Sequence, residues 1–106
     1  MPESQLIYSV NDVELAILKS DPPQLSISAK GETRTGGWTN PELVEIIYVT
    51  PPADGIYEYE FVATPPDGPS TTALTPIEAE TVRHSIPKEL KGVRVKAETN
   101  SKEALL

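Results

Sequence analysis

The sequence predicts an all-β protein, an antiparallel two-sheet β-sandwich of immunoglobulin-like type with about seven strands. Three observations carry this. Eleven prolines are spread through 106 residues, and a helix interior loses about 3 kcal/mol or more to a proline. Several segments between the prolines alternate apolar and polar residues with a period of two. Turn-forming residues separate those segments at short intervals.

The elements follow in chain order. Gln5 to Val10 alternates, with Leu6, Tyr8 and Val10 on one face, and Asn11-Asp12 reads as a tight turn. Val13 to Lys19 then carries Val13, Leu15 and Ile17 inward, and Ser20-Asp21-Pro22-Pro23 closes it. Leu25 to Lys30 sets Leu25, Ile27 and Ala29 against Ser26, Ser28 and Lys30, as expected of one buried and one wet face. Residues 31–41 form the longest irregular stretch. Leu43 to Val49 is apolar on both faces except at Glu45, which predicts a central strand.

Pro51-Pro52-Ala53-Asp54-Gly55 is a turn ending in a left-handed glycine. Ile56 to Ala63 places Tyr57, Tyr59 and Phe61 on one face and Glu58 and Glu60 on the other. Pro65-Pro66-Asp67-Gly68-Pro69 repeats the turn chemistry, too briefly to mark a structural repeat. A strand over Ile77–Val82 follows. Ile86 to Gly92 reads as a short helical turn with Gly92 as its stop. Val93 to Glu98 is the last alternating strand. One sandwich domain over 1–98 with a loose tail over 99–106 is the expected organisation.

Composition limits function. The formal charge of -7 argues against nucleic acid, whose phosphates call for a basic footprint. That charge is uneven. Residues 1–82 hold 13 acids and 3 bases, whereas residues 83–106 hold 6 bases and 3 acids. Arg94 and Lys96 are expected to pair with Glu58 and Glu60 across the sheet rather than to dock an anionic partner. No apolar run reaches the length of a membrane span. Met1-Pro2-Glu3-Ser4 does not read as a secretory leader, so a cytoplasmic setting is expected unless a leader has been removed.

Catalytic chemistry is not expected. The chain has no cysteine and a single histidine, His84, with no partner residues in a triad-like arrangement. The same shortage leaves no zinc site of histidine or cysteine ligands, and no metal or cofactor is expected. Asp12, Asp21, Asp54 and Asp67 sit in predicted turns without the spacing of a calcium loop. Glu58 and Glu60 have a spacing compatible with a glycosidase pair, but an exposed strand face explains both more simply.

Arg34-Thr35-Gly36-Gly37-Trp38-Thr39-Asn40 is the strongest candidate for binding. It holds the sole tryptophan, an arginine and two adjacent glycines, and Trp and Arg are enriched at binding hot spots. Arg34, Thr35, Gly36, Gly37, Trp38 and Asn40 are the expected contact residues, with loop 64–72 beside them. A structural role competes at Trp38, which would plug the end of the sandwich. Tyr48, Tyr57 and Tyr59 offer an aromatic platform for sugar rings, and core packing is the preferred reading of them.

Three segments carry a resemblance. They are Asp21-Pro22-Pro23-x-Leu25-x-Ile27-x-Ala29-x-Gly31, Gly37-Trp38-Thr39-Asn40-Pro41-x-Leu43 and Pro51-Pro52-Ala53-Asp54-Gly55-Ile56. Together they resemble small uncharacterised bacterial β-domain proteins over a little under half of the chain. The resemblance implies a compact β domain and no activity. Protease inhibitors of the chagasin kind share the expected architecture and the lack of cysteine, but their loop motifs are not matched residue by residue. The expected function is therefore a non-catalytic module that contacts a protein or small ligand through end loops. A cysteine-protease-inhibitor-like domain and a calcium- or carbohydrate-binding module are the alternatives.

Overall fold

The computed structural model describes residues 3–47, 50, 52–68 and 70–106. Eight strands and no helix are found among them: β1 (Gln5–Leu6), β2 (Ser9–Leu18), β3 (Gln24–Thr33), β4 (Thr39–Glu45), β5 (Ile56–Thr64), β6 (Thr75–Arg83), β7 (Gly92–Lys96) and β8 (Ser101–Leu105). They form two sheets, so the all-β, two-layer expectation holds. No helix among the described residues is long and apolar enough to cross a membrane.

The smaller sheet has the order β2-β3-β6. Its register sets Leu15 opposite Ile27, Val13 opposite Ala29, and Ala29 opposite Ala79. The period-two pattern read at 25–30 is thus realised as one buried face. The larger sheet centres on β5. Strand β4 lies along one edge of β5, while β7 and β1 share the other edge in series. Strand β8 extends the sheet beyond β7. The core lies between the layers, where Ile7, Val10, Leu25, Ile27, Phe61, Val93 and Val95 are sealed from solvent.

Several expectations are corrected. The strands number eight rather than about seven, because the expected loose tail contains β8, paired with β7 from Gly92↔Leu105 to Lys96↔Ser101. The sandwich is not wholly antiparallel. β5 and β7 run parallel, with Ile56 opposite Gly92 and Glu60 opposite Lys96. A parallel pair needs a long crossover, and β6 supplies it by passing through the opposite sheet. The expected central strand at 43–49 is instead the edge strand Thr39–Glu45; Tyr48 and Val49 lie outside the described residues.

Asn11-Asp12 does not turn the chain. Strand β2 runs straight through it, with a bulge between Val10 and Asp12 absorbing the extra residue. The crossing between sheets falls earlier, at Ile7-Tyr8. There the alternation changes phase, so Ile7 and Val10 are buried rather than Leu6, Tyr8 and Val10 together. Gly31 makes this crossing possible. A Cβ there would stand 2.3 Å from the Ser9 carbonyl oxygen and 2.6 Å from Ile7 Cδ1.

The segment Ile86–Gly92 is not helical. It is a turn in which the Leu90 amide donates to the Pro87 carbonyl at 3.1 Å, and Gly92 starts β7. The turn at Pro52–Gly55 is as expected. The Gly55 amide donates to the Pro52 carbonyl at 3.1 Å, and Gly55 has a φ of 73°. The Asp54 carboxylate accepts from the Ile56 amide at 3.0 Å, which accounts for an Asp at that place.

Residues 97–100 tie the layers together. The Glu98 and Thr99 amides donate to the Ile7 and Tyr8 carbonyls at 2.8 and 3.1 Å. The Asn100 side chain then stands in for a strand. Its Oδ1 accepts from the Val10 amide at 2.9 Å and its Nδ2 donates to the Val10 carbonyl at 2.8 Å.

Candidate functional site

Strands β3, β5, β6 and β7 bring residues 34–38, 65–68, 70–74 and 97–100 to one end of the sandwich. Loop 34–38 docks on Pro66, Ser70 and Thr71 of the β5–β6 connection. The Gly36 amide donates to the Thr71 carbonyl at 3.1 Å. Gly37 has a φ of 85°, and a Cβ there would come within 3.1 Å of Pro66. Both the left-handed backbone and the close approach favour glycine. The two loops expected to act together are in contact.

Each expected contact residue has a definite place. The Trp38 ring is half-buried and packs against the core, and its Nε1 donates to Thr35 Oγ1 at 3.0 Å. Thr35 is itself held through its carbonyl, which accepts from the buried Thr33 hydroxyl at 2.7 Å. Trp38 thus takes the plug position, so the competing structural role is realised in part. Arg34 is exposed yet restrained. Its guanidinium lies 4.7 Å from the Tyr8 ring centroid and forms an ion pair with Glu98. Asn40 is exposed with a φ of 52°, the only non-glycine residue with positive φ among those described. It falls where the β4–β5 register shifts between Thr39 and Glu42.

A second polar group, at the opposite end, was not read from the sequence as a unit. Arg83 lies on the inner face of the small sheet, opposite Leu25. Glu45 lies on the inner face of the large one, opposite Tyr59. The two side chains form an ion pair that spans the layers. The Tyr59 hydroxyl donates to Glu45 Oε1 at 3.0 Å, and the Tyr57 hydroxyl donates to Glu89 Oε1 at 2.8 Å. Arg83 also lies 5.0 Å from the Tyr57 ring centroid, and its Nε is buried without a hydrogen-bond partner.

The titration behaviour follows from this arrangement. The Tyr57 pKa is raised, first by its hydrogen bond to Glu89 and then by burial. The Tyr59 pKa is raised chiefly by burial, with Glu45 adding to it and Arg83 opposing it. Burial works against the Arg83 charge, but Tyr59 and Glu45 more than offset it, so its pKa is raised. The Glu89 pKa is lowered, first by the Tyr57 hydroxyl. One signal in the sequence marks the pair. Glu45 is in phase with Leu43, and Arg83 with Ile77 and Ala79, so both fall on inward positions.

The remaining candidates resolve simply. Tyr57 and Tyr59 are 7% and 3% exposed and belong to the core, while Tyr48 lies outside the described residues. Glu58 pairs with Lys96 at 2.7 Å and Arg94 at 3.4 Å, and Arg94 Nε also donates to Glu103 at 2.7 Å. His84 is exposed. Among the described residues, no three side chains of His, Asp or Glu gather as cation ligands. Comparison with protein-family models, curated proteins and solved structures finds no match.

Proposed function

We propose that this chain is a non-catalytic interaction module that contacts a protein or small ligand through the loop end. One observation carries the reading. Arg34 and Asn40 are exposed but not free: Arg34 is held by Tyr8 and Glu98, and Asn40 is fixed in a left-handed backbone beside a bulge. A surface ordered before it meets its partner avoids much of the entropy that binding otherwise costs. Left-handed backbone is uncommon outside glycine, although Asn adopts it more readily than most, and here it fixes Asn40 at the start of β4. The immunoglobulin-like form of the sandwich stays a comparison of layers. Chain length and two packed sheets support it, and the parallel β5–β7 pair counts against it.

The experiment is affinity capture with the intact chain and with Arg34→Ala/Asn40→Ala, after equal melting temperatures have been checked. A partner retained by the parent, lost by the double variant and kept by a Glu78→Gln control supports the reading. Equal retention by all three refutes it. The cysteine-protease-inhibitor alternative uses the same loops as a wedge, and an unimpeded papain assay at excess protein removes it. Against a sugar platform, the Tyr57 and Tyr59 rings are enclosed.

A further inference from the structure

Edge strands present unpaired backbone groups, and folded proteins blunt them with charge, proline, bulges or short length. Three of the four sheet edges here are blunted. Strand β4 carries Pro41 and a register shift, β6 carries Pro76, Glu78 and Glu80, and β8 is five residues long with Lys102 and Glu103. Strand β2 is different along its length. Its first half is covered by Asn100 at Val10 and guarded by Asp12 and Glu14. Its second half, Leu15-Ala16-Ile17-Leu18, is an uninterrupted apolar run. There, among the described residues, β2 pairs only with β3.

That run is exposed on both faces. Ile17 is 55% and Leu18 38% exposed, and Ala16 is exposed as well. Ile17 also borders an open depression of about 400 Å³ lined by Pro22, Pro23, Ser85 and Ile86. The segment is self-complementary. In an antiparallel pairing of two copies about Ala16, Leu15 faces Ile17 and Glu14 faces Leu18. Asp12 then faces Ser20, so no like charges are directly opposed. Residues of the same parity face each other, so the inner face stays continuous across the joint.

We propose that two copies of this chain associate through the second half of β2, with Ala16 on the two-fold axis. The two three-stranded sheets then become one six-stranded sheet. A two-fold axis suits a single patch that complements itself.

The chain has no cysteine, which makes the test direct. Opposed Cα atoms in an antiparallel pair stand about 4.5–5.5 Å apart, within reach of a disulfide. Oxidised Ala16→Cys protein should become a covalent dimer faster than Glu80→Cys, which puts the thiol on the face of β6 instead. Sedimentation equilibrium of the parent chain should show a concentration-dependent dimer. Ala16→Lys, which opposes two ammonium groups at an exposed position, should weaken it by about tenfold or more. A parent chain that is monomeric at every concentration overturns the proposal and leaves the edge to a foreign strand or to none. Equal cross-linking by the two cysteine variants, or an Ala16→Lys dimer as tight as the parent's, overturns it too.

Discussion

Removing Glu45 from under Arg83 should cost far more than removing both. The Arg83 side chain is 18% exposed and that of Glu45 30%, so the pair is mostly shielded but not sealed. At an effective dielectric near 20, contact between two such charges is worth about 4 kcal/mol before desolvation is counted. Glu45→Leu forfeits that attraction, leaves the guanidinium without its contacting carboxylate and strips the Tyr59 hydroxyl of its acceptor. Fully buried pairs lose about 3–5 kcal/mol on such a change, so about 2–3 kcal/mol is expected here. Arg83→Met should lose about 2 kcal/mol, because it leaves the Glu45 carboxylate without its counter-charge. In Glu45→Leu/Arg83→Met no charge is stranded and the volume is kept, so the loss should fall to about 1 kcal/mol. The coupling is then about 3 kcal/mol. Urea unfolding followed by the fluorescence of Trp38, the sole tryptophan, measures all four corners. Additive single variants, with a coupling below about 0.5 kcal/mol, would falsify the claim that this pair joins the layers.

Three further outcomes are expected. Asn100→Ala deprives the buried Val10 of both its amide and carbonyl partners and should cost about 1–3 kcal/mol, the lower part applying if water enters. Calorimetry should then show a melting temperature lower by about 5–15 °C. Gly31→Ala should cost about 2–3 kcal/mol because its methyl meets Ser9 and Ile7. Gly68→Ala, with nothing within 4 Å of its Cβ, should stay within about 0.5 kcal/mol, and similar losses for the two would contradict the crossing geometry. Tyr57 and Tyr59 should ionise above the ordinary tyrosine value of about 10 in an ultraviolet titration. Since the fold favours their neutral form, that stability is complete below the ordinary value and is lost as pH rises through the raised ones. Normal titration of both would remove the contribution.

The period-two segments were legible because burial of one face is a local property. Leu25, Ile27 and Ala29 point inward as read, and so do Tyr57, Tyr59 and Phe61. The pairing of Glu58 with Arg94 and Lys96 was legible from charge sign and alternation. What failed was long-range. Nothing near Asn11 distinguishes a turn from a bulge, because either places a polar residue between two apolar ones. The bulged path is held by Asn100, ninety positions beyond Val10. The polar stretch at 101–105 gave no strand signal because only Ala104 packs against the core. At the candidate site the residue types pointed to loop 34–40, but the roles of Tyr8 and Glu98 in restraining Arg34 depend on two other loops meeting there.

The place of residues 97–100 also governs how this protein is made. The Tyr8 carbonyl accepts from Thr99, and the Val10 amide and carbonyl both bond to Asn100. Strand β7 can reach β5 only after β6 has crossed to the other layer. A ribosome that has delivered residues 3–90 has therefore delivered a sheet with a vacant edge along β5 and an unanchored start to β2. Closure waits for residues 92–106. The same seam is where a split reporter should be cut, since a fragment holding residues 92–106 would rejoin the rest by restoring one strand edge and one side-chain clasp.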